Sequence, residues 1–203
     1  MKKLLKRVVI CLLIAVFFWC GNLLSHKRQL RENLIRLHVV ANSDSETDQT
    51  IKLQVRDAVV ESLKQDLQSL QNLEEAKAYL QRNLPKIESL ANETLKRAGV
   101  HGDAVVTLCR EAFDKRIYDT FTLPAGVYES LRIIIGQGEG HNWWCVVFPS
   151  LCLPATTEGF EDVAAGAGFS EELRHTLTGE EGYQVRFFLL DALGQLENMF
   201  FAG

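Results

Sequence analysis

Residues 34–41 read Leu-Ile-Arg-Leu-His-Val-Val-Ala, and this stretch divides the chain into two parts of different character. Isoleucine, leucine and valine alternate with Arg36 and His38, which is the two-residue period of a β-strand. The turn-forming residues 42–44, Asn-Ser-Asp, end this pattern. We therefore expect the folded domain to begin with a strand here and to extend, as a single unit, over residues 34–203.

A helical block follows the strand. Ser45 is placed to cap a helix that has acidic residues in its first turn, and apolar residues at helical spacing extend this helix over about 46–69. Asn72 can cap a second helix. Pro85 is expected to interrupt it, and Gly99 is a natural terminator.

The chain becomes rich in strand-forming residues beyond the helical block. The segments with this composition are 104–108, 118–123, 127–135 and 143–148. Gly136-x-Gly138-x-Gly140 is interpreted as a hairpin connection between the last two of them. A phosphate-binding loop is the alternative. However, the segment precedes a strand instead of a helix, and the dinucleotide-binding fingerprint G-x-G-x-x-G would require glycine at position 141, where the chain has His141.

The C-terminal third is expected to combine a loop with helices. Residues 155–169 are rich in Gly and Ala and predict a mobile loop, Ser170 can cap a short helix, and residues 183–201 predict a closing helix. The fold class is therefore α+β. An N-terminal membrane helix precedes one domain with a strand, a helical block, an antiparallel strand meander and a C-terminal helix.

The segment before the strand is typical of membrane targeting. Residues 1–25 carry four basic residues at their start, and no acidic residue precedes Glu32. Val8–Cys20 contains no polar residue, and with the next four residues it forms a 17-residue stretch. As a helix this stretch would span about 25 Å, near the lower limit for a bilayer core. Residues 26–33 are expected to be a linker. A buried core helix is the disfavoured alternative.

Two fates of this segment stay open. Signal peptidase requires small residues at the −3 and −1 positions, but a cut after Gly21 puts Trp19 at −3 and a cut after Ser25 puts Leu23 there. An uncleaved signal anchor is therefore favoured over a signal peptide. The basic flank stays cytoplasmic by the positive-inside rule, so the domain is expected outside the cytoplasm.

The charge of the domain argues against nucleic acid as a partner. The chain has 22 Lys and Arg, four of which lie in the first seven residues, and this leaves 18 against 26 Asp and Glu. The formal charge beyond the leader is therefore −8. Nucleic-acid affinity rests on neutralising phosphates, which an acidic domain does poorly.

Three cysteines lie in the domain, and two of the chain's five lie in the membrane segment. Cys145 and Cys152 are seven residues apart with Pro149 between them, so a disulfide between them is plausible outside the cytoplasm. Cys109 is a competing partner. An odd number allows at most one bridge within the domain.

Catalysis is expected to be absent. Cys145 and His141 would lie about 13 Å apart on one strand, too far for proton transfer, and an approach of His38 or His101 to Cys145 in space stays open. The chain lacks H-E-x-x-H, G-x-S-x-G and paired C-x-x-C motifs. Residues 44–48 resemble the start of a calcium loop without its Gly and final Glu. We expect no cofactor and no metal. An exported hydrolase using Cys145 is the alternative function.

A partner-binding surface is predicted around two adjacent tryptophans. In a strand Trp143 and Trp144 point to opposite faces, so one can enter the core while the other lies outside or under a loop. An exposed tryptophan beside a glycine loop is the kind of residue that dominates protein interfaces. The predicted contact residues are Asn142, Trp143 and Trp144, together with Asn42 and Asp44.

Three blocks of the chain resemble the stage II sporulation protein R family. The first is I-R-L-H-V-V-A-N-S-D-S-E-T-D-Q from residue 35, followed by K-L-x-V-R-D-A-V from residue 52. The second is L-P-A-G-x-Y-E-S-L-R-I from residue 123. The third is G-x-G-x-G-x-N-W-W-C-V-V-F-P-S-L-C over residues 136–152. The resemblance stops at residue 152.

The resemblance implies a signalling function. Proteins of that family are made in the forespore of endospore-forming bacteria and exported into the space between forespore and mother cell. There they activate a membrane-embedded aspartic-type protease of the mother-cell membrane, which removes the pro-sequence of the sigma-E factor. The resemblance thus implies this protease as the partner, and it supplies no catalytic residue to carry over.

Overall fold

The computed structural model describes residues 2–149 and 157–201. The helices are α1 (Lys2–Asn33), α2 (Glu46–Gln68), α3 (Leu73–Arg97), α4 (Thr157–Gly166), α5 (Glu171–Thr178) and α6 (Gln184–Phe201). The strands are β1 (Ile35–Val40), β2 (Ala104–Phe113), β3 (Arg116–Ile117), β4 (Thr122–Leu123), β5 (Gly126–Ile135) and β6 (Asn142–Phe148).

The main sheet is built around the strand that opens the domain. Its order is β2-β5-β1-β6, with β1 parallel to β5 and antiparallel to β6, and β2 antiparallel to β5. The α+β class is confirmed. However, β1 lies between β5 and β6, so the strands that follow the helical block do not form an uninterrupted meander. β3 and β4 form a separate two-stranded sheet.

Both faces of the sheet are covered, so every residue of β1 is buried. Ile35, Leu37 and Val39 pack with α2 and α3 in one hydrophobic core. The opposite face packs against the C-terminal part of α1 and against α4, α5 and α6. Arg36 on that face is fully buried, with its guanidinium carbon 4.2 Å from the centre of the Phe113 ring.

The helical block has the predicted caps. The Ser45 hydroxyl accepts a hydrogen bond from the amide of Asp48, and the Asn72 side chain accepts one from the amide of Glu75. The predicted interruption at Pro85 is wrong, because α3 continues through it. Buried residues on both sides of the proline pack into the same core, and this packing outweighs the lost backbone hydrogen bond.

The predicted linker at residues 26–33 is also wrong, because α1 is helical through Asn33. His26 and Leu30 are buried against the domain, and the Lys27 ammonium lies 3.0 Å from a Glu197 carboxylate oxygen on α6. Only Leu34 separates α1 from β1. Among the described residues, α1 is the one helix long and apolar enough to cross a bilayer, which suits either an anchor or a signal peptide.

The predicted mobile loop at residues 155–169 is replaced over most of its length by α4. Phe160 is buried and stacks on Phe121, with 4.6 Å between ring centres, and Phe169 is buried in the same core. Two aromatic anchors thus fix a segment whose small residues predicted a loop. Residues 155–156 lie outside the described part of the chain.

Candidate functional site

The candidate site lies at the C-terminal end of β1, where the connection between β5 and β6 passes over it. The predicted hairpin at 136–140 is wrong, because β5 and β6 are not neighbours and the connection must cross the intervening strand. The amides of Glu139 and Gly140 donate hydrogen bonds to the carbonyls of Asn42 and Ala41, at 3.2 and 3.0 Å. The crossing connection is therefore bonded directly to the end of β1.

This crossing requires glycine where the two chain segments touch. A Cβ atom on Gly140 would lie 2.2 Å from the Ser43 carbonyl oxygen, a distance that no side chain tolerates. Gly136 has a φ of 57°, in the left-handed region, and a Cβ atom there would meet the Asn42 side chain. The glycines at 136 and 140 therefore allow two backbone segments to approach each other closely at the end of β1.

A hydrogen-bond network fixes the turn after β1. One Asp48 carboxylate oxygen accepts hydrogen bonds from the Ser43 hydroxyl and from the Asn42 amide nitrogen, at 2.5 and 2.9 Å. The Asn42 side-chain oxygen accepts a hydrogen bond from the amide of Gln137 at 3.1 Å. The bonds from Ser43 and Asn42 lower the pKa of Asp48, so this carboxylate stays ionised.

Asp44 joins the turn to the start of β6. Its carboxylate accepts hydrogen bonds from the backbone amide of His141 at 2.6 Å and from the His141 ring nitrogen Nδ1 at 2.5 Å. The backbone hydrogen bond is the main cause that lowers the pKa of Asp44. Lys52 on α2 donates to the His141 carbonyl at 2.9 Å, and burial lowers the pKa of this lysine.

The two tryptophans point to opposite faces, as predicted. Trp143 is 37% exposed and lies on the α2 side, where the Arg56 guanidinium carbon is 4.3 Å from its ring centre. Trp144 is half-buried on the other face. It stacks on His38, with 5.6 Å between ring centres, and Arg116 lies 3.5 Å from its ring.

We call the group Asp44, Arg56, His141, Asn142 and Trp143 the distal surface, and all of these residues are exposed except Arg56, which is half-buried. Asn42 lies directly beneath it as a positioning residue. The structure therefore brings four of the predicted contact residues together, whereas Trp144 takes a packing position on the other face. Sequence reasoning missed Arg56 and His141 as members of the surface. The signal for Arg56 was its helical spacing from Lys52, which places both on one face of α2.

The geometry offers no free thiol at Cys145, which is buried and disulfide-bonded. Its predicted partner Cys152 lies outside the described residues, so this pairing stays a prediction. Cys11, Cys20 and Cys109 are free, and burial raises the pKa of Cys109, which keeps it protonated. Within the described ranges, no group of three or more His, Cys, Asp or Glu side chains could bind a metal ion.

Comparison with known proteins identifies the family. The model of the family described as stage II sporulation protein R matches residues 31–158, which include all strands and the whole distal surface. Stage II sporulation protein R of Bacillus subtilis (strain 168) is 32% identical over 183 residues, which cover 81% of this chain and 82% of that relative. No solved structure matches the chain. On both the family model and the Bacillus relative, this chain belongs to the stage II sporulation protein R family of sporulation proteins.

Proposed function

We propose that this chain is an exported signalling protein of endospore formation, which activates a membrane-embedded aspartic-type protease of the mother cell by binding it through the distal surface. In this proposal the activated protease processes pro-sigma-E, and the chain acts in the space between forespore and mother cell. The observation that carries the proposal is the convergence of Asp44, Asn142 and Trp143 on one rigid, exposed end of the sheet, within the segment that matches the family.

The position of the distal surface suits a contact with the facing membrane. β1 leads directly from α1 to Asn42, and its six residues span about 20 Å. The packed end of α1 lies beside the start of β5, with Leu30 next to Gly126, whereas the distal surface lies at the opposite end of the parallel strand β1. With α1 in the forespore membrane, the domain would present Trp143 toward the mother cell.

The chemistry of the distal surface favours a protein partner. Tryptophan and arginine are the residues that most often dominate binding energy, and here the Arg56 guanidinium stacks on the Trp143 ring. The hydrogen bonds that His141 donates to the Asp44 carboxylate fix the start of β6 before any partner binds, which lowers the entropy cost of binding. Activation further requires that the chain bind the active state of the protease more tightly than the inactive state.

We propose that the chain has no catalytic activity of its own. The alternative, an exported cysteine hydrolase, needs a free Cys145 thiol next to a base. A disulfide-bonded Cys145 cannot supply a thiolate, and this weighs against the hydrolase.

The test is a reconstitution in non-sporulating cells. This chain would be produced with the membrane protease and a tagged pro-sigma-E, and a shortened product would be followed by blotting. We expect processing with the full chain and none when residues 1–25 are deleted. If the full chain accumulates and is exported beside the protease without any processing, the proposed activation is wrong.

The same cells test the distal surface. Trp143→Ala should weaken activation strongly, because losing a central interface tryptophan costs at least ~2 kcal/mol, or about 30-fold in affinity. Ile117→Ala is the matched control, since Ile117 is more exposed than Trp143 and lies on the separate β3–β4 sheet. Normal processing with a normally accumulating Trp143→Ala protein would remove the distal surface from the proposal.

A further inference from the structure

α6 carries an apolar stripe that nothing in the described structure covers. Phe188, Met199 and Phe200 are 67%, 74% and 79% exposed, and Val185 and Leu196 are also exposed. On a helix of 3.6 residues per turn these side chains fall within one sector of about 120°, which also contains the exposed Ala192 and the partly buried Leu189, whose side chain packs against the core. No polar or charged residue interrupts it. We call these residues the α6 stripe.

The opposite side of α6 is fixed to the domain, so the helix cannot rotate to bury the stripe. The Asp191 carboxylate accepts a hydrogen bond from the amide of Ala125 at 2.8 Å. Leu190 is buried in the core, and Gly194 lies so close to the Ala125 carbonyl that a Cβ atom there would clash at 1.6 Å. The exposure of the stripe is therefore a stable property of the fold.

α6 runs beside the end of α1 and in the same direction. Near the start of α6, Arg186 is bonded to Glu172, which in turn accepts a hydrogen bond from Asn22 on α1. Farther along, Glu197 of α6 pairs with Lys27, 3.0 Å away, and lies 3.6 Å from Arg31. Both helices thus lead away from the membrane side of the chain.

This direction limits what can cover the stripe. From Val185 to Phe200 the stripe rises by about 22 Å along the helix, whereas the apolar part of α1 ends at Leu24, beside the start of α6. A bilayer crossed by α1 would reach the first turn of α6 and leave Met199 and Phe200 in water. Lipid alone therefore does not account for the stripe.

A second copy of the chain can cover the stripe along its whole length, including the end that lies far from the membrane. A two-fold axis parallel to α6 places two stripes face to face and keeps both α1 helices in one membrane, in the same orientation. From the exposed fractions, and about 200 Å² for a phenylalanine, the stripe offers on the order of 600 Å² per copy. Stable interfaces bury about 800 Å² per partner, so the stripe alone would supply about three quarters of that area.

We propose that two copies of this chain pair side by side in one membrane through their α6 stripes. The pairing requires α1 to remain in the membrane as an uncleaved anchor, but it does not require the distal surface, because α6 contributes no residue to that surface. It gives the signalling domain a second interface, on the side of the molecule next to α1, and leaves both distal surfaces facing away from the membrane.

Cysteine cross-linking in membranes tests the pairing. The full chain would carry Ser at the three free cysteine positions 11, 20 and 109, and Ala192→Cys at the centre of the stripe. Close to a two-fold axis, residue 192 of one copy meets residue 192 of the other. Mild oxidation should then give a disulfide-linked species of twice the chain mass, at least tenfold more than with the control Gln65→Cys. Gln65 is exposed on α2, across the sheet.

A charged variant completes the test. Phe188→Glu with Met199→Glu, in the Ala192→Cys chain, should reduce the linked species to the level of the Gln65 control. Both substituted side chains are exposed, so the fold does not depend on them. Equal linking at positions 192 and 65, absence of linking at both, or linking to a protein of another mass would each overturn the proposal.

Discussion

The distal surface can form only because residue 140 is a glycine and has no side chain. Its Cα lies against the Ser43 backbone, so Gly140→Ala must push the β5–β6 connection away from the end of β1. We expect a loss of about 2 kcal/mol in the free energy of unfolding, measured by urea denaturation of the full chain in detergent. The His141 amide should also lose its hydrogen bond to Asp44.

Gly102→Ala is the matched control for this prediction. Gly102 lies in the connection before β2, where an added Cβ atom would meet nothing closer than a Val100 methyl group at 3.9 Å. Its free energy of unfolding should equal that of the unchanged chain to within about 0.5 kcal/mol. Equal losses for Gly140→Ala and Gly102→Ala would mean that the close approach at Gly140 does not matter.

The ionisation of Asp44 and Asp48 determines how acid affects the turn that follows β1. The folded protein lowers the pKa of both carboxyl groups below their ordinary value of 3.8. A lowered folded pKa stabilises the folded turn fully above the ordinary value, and this stabilisation is lost as the pH falls through the folded pKa. We expect the turn to stay intact from pH 7 to about pH 4 and to open below it.

Amide hydrogen exchange of His141, followed by NMR as the pH is lowered, measures this opening. Asp44→Asn should remove the acid-dependent step at His141, because the neutral amide cannot titrate. Asp119→Asn, an exposed change in the turn between β3 and β4, should leave the step unchanged. A step that persists in Asp44→Asn would assign the opening to another group.

The C-terminal part of α1 is a structural element of the domain, and Leu30 is its best-buried side chain. Leu30→Ala should lower the free energy of unfolding by about 3 kcal/mol, since it leaves a cavity between α1 and the sheet. Leu24→Ala on the same helix should change it by less than about 0.5 kcal/mol, because Leu24 is exposed. Urea denaturation of both variants measures how much the packing of residues 26–33 stabilises the domain, and equally small losses for both would mean that this part of α1 adds nothing to its stability.

The bridge at the end of β6 gives a second prediction at this scale. If Cys145 pairs with Cys152, Cys145→Ser and Cys152→Ser should each lower stability by about 2 kcal/mol, and the double variant should lose no more than either single one. Cys109→Ser should have little effect, because Cys109 is free. Thermal unfolding under oxidising conditions compares them, and a mild Cys152→Ser beside a severe Cys145→Ser would point to another partner.

The helices of this chain show which local sequence patterns predict secondary structure correctly and which do not. The caps Ser45 and Asn72 predict helix starts correctly because the side chain and the amide that it accepts from are three residues apart. Pro85 and the small residues near Phe160 mislead for a common reason. Local propensity disfavours a helix in both places, and long-range packing, which a short segment does not reveal, stabilises one.

At the scale of the whole molecule, the order of the strands in the sheet could not be predicted from the sequence. The alternation in residues 35–39 predicts a strand but gives no indication that β1 enters the middle of the sheet, because period-two patterning does not identify neighbours. For the same reason the glycines at 136–140 look like a hairpin. The grouping of Asn42 and Asp44 with Trp143 depends on the crossing connection between β5 and β6, and the contributions of Arg56 and His141 depend on how α2 packs beside β6.

The direct junction of α1 and β1 at Leu34 also determines how the domain carries a mechanical load. A pull on α1 reaches the start of β1 once the contacts of Leu30 and Lys27 with the domain are broken, and β1 is bonded on both sides, to β5 and to β6. Force in this direction loads those hydrogen bonds together, in shear, and resistance to forced unfolding depends on the height of that barrier. If a partner binds the distal surface at the far end of β1, tension between two membranes would run along this one strand, and the domain would then act as a tether that stays folded under load.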